Sequence, residues 1–181
     1  MKFLETALPG VVVVEPDVYR DARGFFVETY QREKYEAGGI AVPFVQDNLS
    51  SSARGVLRGL HLQTRRPQAK LVRVALGEAL DVVVDVDPRS ATFKRHVAVR
   101  LDAESQRQIF VPAGYAHGIA ILGERTLVEY KVSDFYDPGG ELSIRWNDPE
   151  LAIPWPLEAP TLSAKDAAGL PLAEALAKLG R

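Results

Sequence analysis

His61 sits in the run Arg58-Gly-Leu-His-Leu-Gln63, and the chain's other histidines are His96 and His117. A metal-binding jelly-roll barrel would place a second histidine where Gln63 stands, and glutamine is a poor ligand for a divalent transition metal. An imidazole free of metal duty titrates near neutrality and is the best general base this chain owns, provided a carboxylate orients it. A facial triad of His61, His117 and a carboxylate is the metal arrangement that the sequence leaves open. The chain has no cysteine, which removes thiolate nucleophiles, disulfides and cysteine-containing zinc sites.

Strand alternation brings other polar groups to the same side as apolar ones. Lys70 shares a face with Val72, Val74 and Leu76, His117 with Ile119 and Ile121, and Tyr130 with Val128 and Val132. Taken singly, each has a plain structural role: a lysine wet at a strand start, a satisfied core histidine, a core tyrosine bonded to a carbonyl. Together they point an amine, an imidazole and a phenol into one interior, where unpaired polar groups are costly unless the lumen itself is polar. Strict alternation would separate Arg58 from His61, but a bulge at Gly59 would bring both to one face. In Leu80-Asp-Val-Val-Val-Asp-Val-Asp87 the face bearing Leu80, Val82, Val84 and Val86 is read as inward, leaving Asp81, Asp85 and Asp87 as a solvated row.

The elements that must position these groups are short strands. Runs rich in Val, Leu, Ile and aromatics cover 11–14, 24–29, 44–49, 56–63, 71–76, 80–86, 96–101, 108–111, 117–122 and 126–135. Glycine turns at Gly77 and Gly123 are read as joining antiparallel neighbours, and Asp137-Pro-Gly-Gly140 as a further turn. Helical signals are confined to 31–37, stopped by Gly38-Gly39, and to 172–179, with Leu172, Leu176 and Leu179 at helical spacing. The expectation is an all-β, double-sheet jelly roll with short peripheral helices, one domain over residues 1–181.

Bulk composition narrows the function classes. Hydrophobic residues make up 46% and charged residues 25%, as in an ordinary globular protein. The formal charge is -2 and the 22 basic residues are scattered, so no footprint for nucleic acid exists. The longest apolar runs fall far short of a membrane span and the N-terminus lacks a signal-peptide core, so a cytoplasmic location is expected.

A larger set of motifs carries a resemblance. Asp21-Ala-Arg-Gly-Phe-Phe-Val-Glu28, Gln46-Asp-Asn-Leu-Ser50, Gly55 to Gln63, Lys70-Leu-Val72, Asp81-Val-Val-Val-Asp85, Pro112-Ala-Gly-Tyr-Ala-His-Gly118, Tyr130-Lys131, Trp146-Asn-Asp-Pro149 and Ser163-Ala-Lys-Asp166 occur in an order that resembles the dTDP-4-dehydrorhamnose 3,5-epimerase family. The resemblance implies a cofactor-free, metal-free, cupin-fold homodimer that inverts two carbons of a dTDP-4-keto-6-deoxyhexose on the route to dTDP-L-rhamnose. It implies His61 as base, Asp166 as its orienting partner, Lys70 beside the enolate and Tyr130 as the acid on the opposite face. Arg23 and Glu28 would reach the nucleotide from the neighbouring subunit. Gln46, Asn48, Arg58 and His117 would complete the substrate contacts, with Glu141 and Lys165 lining the same cleft. Leu62 and Ile119 stand where the family commonly has aromatics, which leaves room for a relative that epimerises C3 or C5 alone. A non-catalytic sugar-nucleotide-binding cupin is the rival from another class, and the joint presence of base, acid and cation argues against it.

Overall fold

The computed structural model describes residues 1–180. Thirteen strands run in chain order: β1 (Lys2–Glu5), β2 (Val12–Glu15), β3 (Val18–Asp21), β4 (Gly24–Val27), β5 (Gln46–Ala53), β6 (Leu57–Gln63), β7 (Lys70–Leu76), β8 (Glu78–Val84), β9 (His96–Asp102), β10 (Gln108–Val111), β11 (Ala116–Ile121), β12 (Arg125–Val132) and β13 (Glu141–Ser143). Three short helices accompany them, α1 (Arg32–Ala37), α2 (Ala164–Ala167) and α3 (Leu172–Lys178). A six-stranded sheet orders β1-β2-β10-β7-β12-β5, a five-stranded sheet orders β13-β6-β11-β8-β9, and β3-β4 form a separate hairpin. Every strand pair is antiparallel, as a jelly roll requires.

Three apolar layers hold the sheets. Val72, Val74, Val83, Ile109, Ile119, Ile121 and Val128 draw on both sheets and pack between them. Leu60, Leu62, Val82, Val84 and Ile144 pack on the outer face of the five-stranded sheet beneath Leu172 and Ala175 of α3. Val14, Leu71 and Phe110 pack on the outer face of the six-stranded sheet beneath Tyr35 of α1. Each fully buried aliphatic side chain contributes roughly 1.5–3 kcal/mol.

Two expectations about these layers are corrected. Leu80, Val82, Val84 and Val86 belong to the outer, helix-covered layer, and the lumen face of β8 carries Ala79, Asp81 and Val83. Asp81 is fully buried and Asp85 nearly so, so the acidic row is no solvated face. The strand is apolar on both sides because protein covers both. The Gly77 and Gly123 turns do not join neighbours in one sheet either. They carry the chain from β7 to β8 and from β11 to β12, across the two sheets, and form the corners of the roll.

The expected bulge is present. His117 pairs with His61 and Ile119 with Arg58, so Gly59 and Leu60 together oppose Gly118. Gly59 has φ +108°, and a Cβ there would stand 2.5 Å from the His117 carbonyl oxygen and 2.6 Å from Gly118 Cα. Glycine is required on both counts.

Candidate active site

The extra residue at the bulge turns Arg58 toward the lumen that His61 and Gln63 already face, and all three line one cavity of about 400 Å³. The remaining wall comes from both sheets. Lys70, Tyr130, Gln46 and Asn48 project from the six-stranded sheet, and His117 and Glu141 from the five-stranded one, with Lys165 of α2 at the rim.

His61 is held from behind. Its Nε2 lies 2.5 Å from Asp166 Oδ1, and Asp166 is buried with its side chain 4% exposed. Ser163 begins α2 as its N-cap, accepting the Asp166 N–H at 3.1 Å and donating its hydroxyl to Asp166 Oδ2 at 2.8 Å. The Gly59 N–H donates to Oδ1 at 3.4 Å, so the bulge also supports the carboxylate. Burial alone would raise the Asp166 pKa, but hydrogen bonds from His61 and Ser163 outweigh it and hold the carboxyl below its usual range. Asp166 therefore both completes a helix cap and orients the imidazole.

His117 stands opposite His61 in register and has a carboxylate of its own. Its Nε2 lies 2.9 and 2.8 Å from the two oxygens of Asp81, which is wholly buried. Reading Asp81 as solvated missed this group. The signal was available: in Ala79-Leu-Asp-Val-Val-Val84 it is the single polar residue, and a strand buried on both faces must give its carboxylate a partner.

The Lys70 ammonium forms no hydrogen bond or ion pair among the described residues, although its backbone pairs within the six-stranded sheet. Burial lowers the pKa of its ammonium, while the charges of Asp81 and Glu141 oppose the shift and favour the cation. Burial raises the Tyr130 phenol, Arg58 opposes and Glu141 reinforces, so the hydroxyl keeps its proton at neutral pH. Arg58 donates to Ser52 Oγ at 2.9 and 3.1 Å, and Gln46 Nε2 donates to Asn48 Oδ1 at 2.8 Å. Glu141 accepts from Lys165 Nζ at 2.8 Å and from the hydroxyl of Tyr136 at 2.8 Å, and its Oε1 lies 4.0 Å from His61 Nδ1. Tyr136 and Ser163 are further site residues that sequence reasoning missed, since a tyrosine in a loop and a serine before a helix carry no chemical signature of their own.

Arg23 and Glu28 are not in this cavity. Arg23 sits at the tip of the β3–β4 hairpin, its side chain 90% exposed and paired with Asp21, and Glu28 pairs with Lys34 at 2.7 Å. Among the described residues no three His, Cys, Asp or Glu side chains group to hold a metal ion. His61 and His117 both give Nε2 to a carboxylate.

A lumen with a carboxylate-backed imidazole on one sheet and a protonated phenol and an amine on the other is equipped to move protons on and off carbon, and the class it defines is an isomerase. The sequence profile of dTDP-4-dehydrorhamnose 3,5-epimerase matches residues 5–174. The chain is 54% identical to the dTDP-4-dehydrorhamnose 3,5-epimerase of Pseudomonas aeruginosa over 97% of this chain and 98% of that one. It is 48% identical to the Salmonella typhimurium enzyme of the same name, again over 97% and 98%. A crystal structure of the Legionella pneumophila 3,5-epimerase in complex with dTDP-4-keto-L-rhamnose superposes with a TM-score of 0.95 at 46% identity, over 98% of this chain and 96% of that one. ChmJ, a 3'-monoepimerase from Streptomyces bikiniensis, superposes with a TM-score of 0.90 at 34% identity, over 99% and 91%. The chain belongs to the dTDP-4-dehydrorhamnose 3,5-epimerase family.

Proposed function

We propose that this chain inverts C3 and C5 of dTDP-4-dehydro-6-deoxy-D-glucose to give dTDP-4-dehydro-L-rhamnose, in dTDP-L-rhamnose biosynthesis. The observation that carries the reading is that His61, backed by Asp166, and Tyr130 reach one cavity from opposite sheets. Both carbons flank the C4 ketone, so loss of either hydrogen gives an enolate with its charge on the same oxygen. One cation serves both steps, and the Lys70 side chain has no hydrogen-bond or ion-pair partner among the described residues. An oriented donor at such an oxygen is worth roughly 3–4 kcal/mol of barrier. Inversion needs removal on one face and delivery on the other, which a base and an acid on opposing walls supply.

The remaining groups fit the rest of such a substrate. Arg58, Lys165, Gln46 and Asn48 offer donors for diphosphate and sugar oxygens. Arg23 and Glu28 act from a second copy in a cytoplasmic homodimer, with the whole chain working as one domain. The β3–β4 hairpin supports that assembly, because it presents Tyr19, Phe25 and Phe26 at 63%, 49% and 68% exposure. The chemistry draws on side chains alone and asks for no metal or cofactor.

The test is incubation of dTDP-4-keto-6-deoxyglucose with the protein in heavy water, followed by NMR. Deuterium at both C3 and C5 is expected. Labelling at one carbon would make the chain a single-site epimerase, and none would make it a binder.

A further inference from the structure

Two inversions in one visit leave a protonation problem between them. On the two-carbon reading above, His61 has gained a proton and Tyr130 has lost one when the first carbon is done. The imidazolium must discharge, and the phenolate recover a proton, before the second carbon reacts. Asp166 occupies His61 Nε2, so Nδ1 is the nitrogen left to take and release the proton. That atom is 4.0 Å from Glu141 Oε1. Glu141, only 14% exposed, accepts the Tyr136 hydroxyl on its other oxygen at 2.8 Å, and Tyr136 is 50% exposed. The three groups lead from the half-buried base to the surface, with a 4.0 Å step between His61 and Glu141.

We propose that Glu141 and Tyr136 are the proton-release path that resets His61 between the two inversions. Once the side chains close the 4.0 Å gap, the His61 Nδ1–H bond breaks as a Glu141 Oε1–H bond forms. The Tyr136 hydroxyl, which donates to Oε2 at rest, turns to donate to water, and rotation of the carboxyl group brings the new O–H to the Tyr136 oxygen, which takes that proton as its own passes to water. The net change is one proton from His61 to solvent, and the Tyr130 phenolate takes one back from water. Burial would raise the Glu141 pKa, but hydrogen bonds from Lys165 and Tyr136, with the His61 charge, bring it below its usual range. The carboxylate thus passes a proton without storing it. Lys165, bonded to Oε1 at 2.8 Å, keeps the group in place.

Tyr136→Phe tests this, because it leaves the Glu141–Lys165 pair and the cavity wall intact. In single turnovers in heavy water, the first carbon should exchange near the wild-type rate. The second should slow by about tenfold or more, so singly labelled sugar accumulates. Added imidazole or acetate buffer should restore the second step. Equal slowing of both carbons, no slowing of either, or a split that buffer does not relieve would overturn the path. Failure of the underlying two-carbon reading shows elsewhere, as labelling at a single carbon by the wild-type protein.

Discussion

His61 and His117 stand opposite each other across the β6–β11 pair, and each gives its Nε2 to a carboxylate, 2.5 Å from Asp166 in one case and 2.8 Å from Asp81 in the other. The two pairs differ in how they are held. Asp166 offers one oxygen to the ring and the other to Ser163, on a helical turn outside the sheet. Asp81 gives both oxygens to His117 from full burial within β8. On the proposed reading, the first arrangement orients a ring that gains and loses protons, and the second fixes one that would contact substrate.

Asp166→Asn should lower turnover roughly 10³- to 10⁴-fold, because an amide stabilises the wrong tautomer and cannot balance an imidazolium. The same variant has a stability signature. The folded-state pKa of Asp166 is depressed, so its contribution is complete above the ordinary aspartate pKa near 3.9 and is lost as pH falls through the folded value. Urea denaturation at pH 7 should find the variant less stable than wild type, with the gap closing as pH drops below about 4. A gap that widens in acid would contradict the assignment.

Tyr130→Phe removes the proposed acid and leaves the proposed base. Exchange of the C3 and C5 hydrogens with solvent should persist in part, because His61 can return what it removed, while net inversion falls roughly 10²- to 10⁴-fold. NMR of the recovered sugar separates the two. Loss of exchange together with inversion, in a folded variant, would mean that Tyr130 is not the second group.

The hairpin assignment is tested by mixing subunits. Arg23→Ala and His61→Ala chains, each poorly active alone, should recover activity when allowed to exchange subunits, since one site of the hybrid then has both residues. Light scattering should give twice the 19.9 kDa chain mass. A particle of single-chain mass, or no recovery on mixing, would place Arg23 outside the site.

The sequence shows where strands lie more clearly than which side of a sheet they face. Hydrophobic runs mark the long central strands because each spends seven or eight residues between covered layers. β3 (Val18-Tyr-Arg-Asp21) and β13 (Glu141-Leu-Ser143) carry too few apolar residues to register, and β1 is an exposed edge. Alternation places Lys70, His117 and Tyr130 correctly because their strands have one distinctive face. It fails at β8, where both faces are apolar and period two cannot say which is lumen. That failure hid Asp81. The Gly59 bulge is legible because a glycine that interrupts a strand weakens it, and most often marks a bulge or a close backbone approach. The Asp166–His61 contact spans 105 residues, and only resemblance, not local pattern, joins them.

The central claim is that the His61 imidazole takes hydrogen from both carbons beside the ketone. Its most direct test is the heavy-water assay on chelator-treated His61→Ala, beside wild type treated alike. The account requires wild type to label C3 and C5 and the folded variant to label neither; deuterium entering either carbon at the wild-type rate without the imidazole would refute it.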